Sequence, residues 1–236
     1  MKIGIIGAMQ VETELLIRRM ENRNIIEKAG RTFYEGQLSG TDCVVVTCGV
    51  GKVNAAICAQ ILADCFDIGC LINTGIAGSL NNEINIGDIV ISEKAVYHDM
   101  DAVNFGYAYG EIPSMGMKEF CSDPALMKMA EEAVREADPN IGVFRGIIAT
   151  GDQFIREKDR KEWIRETFGA DCTEMEGTAI AHTAWTNGIP FVIVRAISDK
   201  ADESVSVSYE EFEKKAAEHC ASMILNMTER IGRYEL

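Results

Sequence analysis

Short runs of β-branched and apolar residues recur along the chain. Between them lie stretches in which apolar positions return every three or four residues. The first pattern predicts strands at "KIGIIG", "CVVVTCG", "CLINTG", "DIVISEKAVYH", "RGIIATG" and "FVIVRAIS". The second predicts helices near residues 10–20, 52–66, 124–137, 159–168, 174–187 and 209–231. Alternating strands and helices imply an α/β fold, a three-layer αβα sandwich around a central mixed, mostly parallel sheet. No internal repeat, low-complexity tract or Pro/Ser-rich linker divides the chain, so one domain is expected over residues 1–236.

Four predicted strands run into glycine turns: "IIGAM", "TCGVGK", "NTGIAGS" and "ATGDQF". Ligands of open α/β sheets bind beyond the carboxyl ends of the strands, so these turns are expected to line a site. Neither common phosphate loop is present. There is no G-x-G-x-x-G, and "GVGKVN" lacks both the four-residue spacing and the Ser/Thr after Lys52 that a Walker loop requires. Tight strand–helix turns need glycine anyway, so the turns alone decide nothing.

Composition narrows the function classes. A formal net charge of −14 argues against nucleic acid or an anionic membrane as partner. Eight cysteines without a CxxC, and three histidines far apart (His98, His182, His219), imply reduced thiols in a cytoplasm and no metal site. The start "MKIGIIGAM" reads as a first strand, because glycines interrupt its short apolar run. No run is long enough to span a membrane.

Several charged positions are out of place. On a helix starting near Met9, residues Met9, Glu12, Leu15, Leu16 and Met20 share one face, so Glu12 sits on an apolar stripe, whereas Glu14 can pair with Arg18. Glu12 is either a helix-dipole partner or a buried general base. Arg195, near the carboxyl end of a core strand, needs a buried carboxylate or an anion. Asp199, at that strand's end, is a turn residue or an acid–base group. In "TEMEG", Thr173 and Glu176 match a capping box, with Glu174 in the first turn.

In chain order, "IGIIGAM" with Glu12, "INTGIAG", "IGDIVIS", "YHDMD", "FGY", "TGDQFI", "EMEGTAIAH" and "VRAISDKAD" together resemble the 5′-methylthioadenosine/S-adenosylhomocysteine nucleosidases of the nucleoside-phosphorylase superfamily. The resemblance covers nearly the whole chain. It implies cleavage of the N-glycosidic bond of adenosine thioethers without a metal or other cofactor, and a homodimer. Asp199 would be the general acid at adenine N7, Glu12 would activate water, and Arg195 would help place Glu12 and that water. Glu176 would hold the ribose hydroxyls with Met175 under the sugar, Phe154 would stack on the base, and the backbone of Ile155 would read its edge. Ile76, Ala77 and Gly78 would adjoin the substrate, and Met9, Val50 and Tyr209 would line the alkylthio pocket. Phe105, Tyr107 and Pro113 would close that pocket from the partner chain.

Phosphate-using relatives tend to carry an arginine where this chain has Asn73 and a hydroxyl where it has Ile76. Neither residue supplies the charged or hydroxyl donors that an anion needs, so water is the expected nucleophile. Many nucleosidases have serine at the position of Ile76, so fine positioning of the water or ribose is open. Two alternatives stand beside the hydrolase: a phosphate-dependent purine nucleoside phosphorylase, and a nucleoside-binding protein without catalysis.

Overall fold

The apolar run Cys70–Ser79 becomes the spine of the molecule. The computed structural model describes residues 1–199 and 209–233, apart from the side chains of 209–215. The elements before the spine are β1 (Ile3–Gly7), α1 (Gln10–Arg19), β2 (Glu21–Lys28), β3 (Arg31–Leu38), β4 (Thr41–Thr47) and α2 (Lys52–Cys65). The spine is β5, followed by β6 (Ile89–Tyr97), a 3-10 turn (Val103–Phe105), β7 (Glu119–Cys121), α3 (Pro124–Ala137) and β8 (Val143–Thr150). The chain continues through α4 (Lys158–Phe168), β9 (Ala170–Glu174), α5 (Gly177–Thr186), β10 (Phe191–Asp199) and α6 (Tyr209–Arg233).

β5 has a different neighbour at each end of one edge. Its first half, Cys70–Asn73, runs parallel to β1, and its last two residues, Gly78 and Ser79, pair antiparallel with Thr173 and Cys172 of β9. Along its other edge β10 pairs in parallel from Leu71 to Gly78. β10 also pairs antiparallel with β6, β6 in parallel with β8, and β8 in parallel with β9, so the sheet closes on itself beside the spine. The fork between the end of β1 and the start of β9 leaves Thr74–Ala77 without a strand partner on that edge among the described residues. Backbone donors exposed in such a gap must be met by side chains or by ligand.

Period-two alternation sends neighbouring strand residues into two cores. Ile6, Val44, Val46, Leu71 and Ile193 pack toward α2 and α5, while Ile3, Ile5, Val45, Ile72 and Val192 pack toward α1, α3 and α6. Each such aliphatic side chain stabilises the fold by about 1.5–3 kcal/mol when fully buried. α3 begins where Asp123 accepts from the N–H groups of Ala125 and Leu126 at 2.9 Å, with Pro124 in the first turn.

Three sequence expectations need correcting. β2 and β3 form an antiparallel arm on β4 that the apolar pattern did not reveal, because no residue of β2 is buried. β7 is a three-residue edge strand, too short for a periodic signal. The helix expected from residue 174 starts at Gly177, because Thr173 and Glu174 belong to β9. The Thr173–Glu176 capping box therefore does not form.

Candidate active site

The fork opens into a cavity of about 210 Å³. Its walls are strand ends and the turns that follow them. Ala8, Met9 and Glu12 come from β1 and α1, Val50 from the turn after β4, and Ile76–Gly78 from β5. Gln153–Ile155 follow β8, Thr173–Glu176 follow β9, and Ser198 and Asp199 end β10. The sequence expectations for Glu12, Asp199, Glu176, Met175, Phe154, Ile155, Met9, Val50, Ile76, Ala77 and Gly78 thus meet in one place. Arg195 stands behind this wall and does not line it.

Three buried glutamates surround the one Arg195 guanidinium, and their hydrogen bonds sort them. An ionised carboxylate has roughly four acceptor positions. Glu174 receives four donors: the Thr150 hydroxyl on Oε1, and Arg195 Nη2 together with the N–H groups of Glu176 (2.9 Å) and Gly177 (2.7 Å) on Oε2. These four donors match the usual total for a carboxylate, three of them crowded on Oε2, and Glu174 meets the first N–H groups of α5, the role that the sequence pattern had suggested for Glu176.

Glu12 receives three donors. Oε2 accepts from Ala8 N (2.6 Å) and Met9 N (2.9 Å), and Oε1 accepts from Ile76 N (3.1 Å). The two α1 contacts are those of a carboxylate reaching back to its own helix start, and the third fills the fork. One acceptor position on Oε1 is left for a ligand. Burial pushes the Glu12 carboxyl above the ordinary carboxylate range, while Arg195 and the three N–H groups pull it down.

Glu176 receives only Gly51 N–H, at 2.9 Å on Oε1, and its Oε2 lies 3.7 Å from Arg195 Nη2. As the residue preceding α5 it makes no side-chain cap. Burial, then repulsion from Glu174, pushes its carboxyl up to about 7, against the attraction of Arg195 and Gly51 N–H. It keeps acceptor capacity facing the cavity.

Arg195 completes its contacts with Asn73 Oδ1 (2.5 Å) and the Ile76 carbonyl (3.4 Å). Its nearest carboxylate is Glu174, so it acts on Glu12 through space and not through an ion pair within 4 Å. Asn73 Nδ2 donates to the Ile6 carbonyl, which ties up both ends of that amide outside the cavity. A side chain on Gly75 would collide with both Arg195 and Glu12, so glycine is what lets the arginine and the carboxylate flank β5 together.

The far end of the cavity is less enclosed. Phe154 is 56 % exposed, with the Arg156 guanidinium 5.3 Å from its ring centre. Asp199 accepts from Ser198 Oγ at 2.9 Å, and Lys161 Nζ lies 3.5 Å away. Among the described residues no Lys or Arg side chain lines the cavity, and no group of His, Cys, Asp and Glu could hold a metal ion.

Phe105, Tyr107 and Pro113 stand on the connection between β6 and β7 and do not line the cavity of their own chain. Tyr209 begins α6, and its side chain lies outside the described residues. Sequence reasoning missed Ala8, Gln153, Thr173 and Ser198 in the wall and gave Glu174 a lesser part. Gln153 and Ser198 adjoin residues that had been singled out, whereas Glu174 carried no signal beyond a helix dipole. All eight cysteines are free thiols, and no helix among the described residues is long and apolar enough to cross a membrane.

The phosphorylase superfamily model matches residues 2–229. A 5′-methylthioadenosine/S-adenosylhomocysteine nucleosidase of Geobacillus thermodenitrificans is 42% identical over 96% of this chain and 96% of its own. The chain belongs to this nucleosidase family within the phosphorylase superfamily. Solved structures agree. The nucleosidase of Colwellia psychrerythraea 34H in complex with adenine is 37% identical, covers 97% of this chain and 94% of its own, and superposes with a TM-score of 0.91. That of Neisseria meningitidis in complex with methylthio-immucillin-A is 39% identical over 97% of this chain and 99% of its own, with a TM-score of 0.90.

Proposed function

We propose that the chain hydrolyses the N-glycosidic bond of 5′-methylthioadenosine and S-adenosylhomocysteine, and of 5′-deoxyadenosine, releasing adenine. One observation carries the division of labour: the three glutamates differ in how many acceptor positions their own protein leaves free. Glu174 already takes four donors from its own protein and is structural. Glu12 has one position left and holds the attacking water. Glu176 has the most and takes the ribose hydroxyls.

Bond cleavage builds positive charge on the ribose and negative charge on the departing purine. Asp199 gives a proton to adenine N7, which contributes roughly 10²–10⁴-fold. Glu12 takes a proton from the water as it attacks the anomeric carbon, and the two carboxylates beside the sugar favour its cationic state. Phe154 stacks on the base, the Ile155 backbone meets its edge, Met175 lies under the sugar, and Met9 and Val50 give the thioether an apolar wall.

Water, not phosphate, fits the nucleophile position. A phosphate there would face Glu12 and Glu176 with no cationic side chain of the described residues in the wall. A homodimer completes the pocket with Phe105, Tyr107 and Pro113. Its support is the exposed apolar surface of Val53 and Ile57 on α2 and Trp185 on α5, helices that pack together, and of Phe105 at 86 % exposure. The free thiols suit a reducing cytoplasm.

Adenine release from 5′-methylthioadenosine, assayed with and without phosphate, tests the reading. Equal release with free methylthioribose supports it. Release only with phosphate means a phosphorylase, and tight adenine binding without turnover means a binding protein.

A further inference from the structure

Three motifs that frame the site carry charged residues with no part in the chemistry above: "GVGK", "YHDMD" and "TGDQF". Their charged residues meet. Lys52, the first residue of α2, sends Nζ to Asp99 Oδ2 at 2.6 Å, and its backbone N–H donates to Asp152 Oδ1 at 2.8 Å. The same Asp99 oxygen accepts the backbone N–H of Asp152 at 2.9 Å. Lys52 Nζ also lies 3.7 Å from Asp152 Oδ2 and 5.4 Å from the centre of the Tyr97 ring. Three strand ends, those of β4, β6 and β8, are thereby tied to one another.

Each tie leads directly into the cavity. The residue before Lys52 is Gly51, whose N–H is the one backbone donor on Glu176. Gly51 has φ of 100°, and a Cβ there would stand 3.1 Å from Asp152 Oδ1, so its conformation is fitted to the carboxylate that caps α2. The residues after Asp152 are Gln153 and Phe154, which form the outer wall.

We propose that Lys52, Asp99 and Asp152 form a positioning unit that sets Glu176 and the Phe154 turn against each other, so that ribose and base are gripped in one register. The inference rests on the reading of Glu176 and Phe154 as ribose and base contacts. None of the three touches substrate. They act through the Gly51 N–H and through the backbone that carries Phe154. Breaking the unit loosens the aim of both contacts, which weakens binding while leaving Glu12 and Asp199 in place.

The test is the steady-state release of adenine from 5′-methylthioadenosine by the unaltered chain and by Lys52→Met, Asp99→Asn, their double variant, and Lys52→Met combined with Glu176→Gln. Each single substitution is expected to raise KM roughly five-fold with kcat within about two-fold of the unaltered chain. Because the pair acts as one unit, the double variant is expected to be no worse than the worse single variant. Lys52→Met is expected to raise KM by a smaller factor once Glu176 is Gln than it does alone, the remainder being the share that passes through the Phe154 backbone. Unchanged KM with a lowered Tm would overturn the proposal, since the cluster would then be structural only. Multiplying effects in the double variant would also overturn it, since the residues would then act independently. Asp99→Asn keeps the side chain's shape and carries the test should Lys52→Met fail to fold. Failure of the unaltered chain to release adenine strikes the functional reading itself and appears before any substitution is made.

Discussion

The two ends of the cavity are built on different principles. At the inner end Glu12, Glu174, Glu176 and Arg195 are all buried, and backbone N–H groups at the start of three helices and at the strand fork hold the carboxylates. At the outer end Phe154 is half open to solvent, and Asp199 closes β10 just before residues 200–208, which lie outside the described part. The carboxylates assigned to water and ribose stand where the fold cannot relax. The group that offers a π-face stands on a turn. This difference separates what substitutions at either end do to rate, stability and affinity.

The largest effects belong to the acid–base groups, Glu12 at the inner end and Asp199 at the outer. Glu12→Gln is expected to lower kcat about 10²–10⁴-fold while the chain stays folded, because the amide fills the same space but takes no proton from water. Near-normal turnover would show that Glu12 only closes its helix. Asp199→Asn is expected to lose activity on a similar scale of roughly 10²–10⁴-fold, read as adenine release at saturating substrate. An active variant would make Asp199 a turn residue.

Stability separates Glu174 from Glu176. Glu174→Gln leaves Arg195 without its nearest anion and is expected to lower stability by about 3 kcal/mol, a Tm loss on the order of 10 °C. Glu176 has the opposite sign at neutral pH. Its folded-state carboxyl titrates at about 7 against an ordinary value of 4.5. Folding therefore favours the protonated form, and the protein loses stability as pH rises through that interval. Glu176→Gln keeps a neutral side chain throughout, so its Tm relative to the unaltered chain is expected to be higher at pH 8 than at pH 5. An equal offset at both pH values would contradict the assignment. Activity follows the reverse course. Glu12 and Glu176 must be ionised to hold water and ribose, so the acid limb of kcat/KM is expected above the ordinary carboxylate range.

The smallest effect belongs to the exposed aromatic of the outer end. Phe154→Ala is expected to raise KM about ten-fold through lost stacking, with Tm nearly unchanged because the ring is exposed. A Tm loss as large as that of Glu174→Gln would remove the distinction between the two ends.

The two-ended design was partly legible in the chain. Glu12 on an apolar stripe and Arg195 inside a core strand were visible because a charge in a hydrophobic period needs a reason. Glu14 also paired with Arg18 as its spacing required. The exchange of roles between Glu174 and Glu176 was not legible. "TEMEG" fits a capping box locally, but pairing of Thr173 with Gly78 on β5 and with Ala149 on β8 holds that segment as a strand. Long-range pairing overrode a local signal. The β2–β3 arm escaped for a related reason, because a strand that buries nothing leaves no alternation to read. That Phe105 stands clear of its own chain's cavity was implied by the family resemblance alone, since an exposed aromatic on a loop looks the same whatever covers it.

The account turns on Glu12 keeping one acceptor position for water. The most direct measurement is the mass of the sugar released when 5′-methylthioadenosine is cleaved in ¹⁸O-water containing phosphate. Methylthioribose carrying one solvent oxygen at its anomeric carbon, formed by the unaltered chain and almost absent with Glu12→Gln, is the result the account requires. A phosphorylated sugar, or labelled methylthioribose formed equally well by Glu12→Gln, would contradict it.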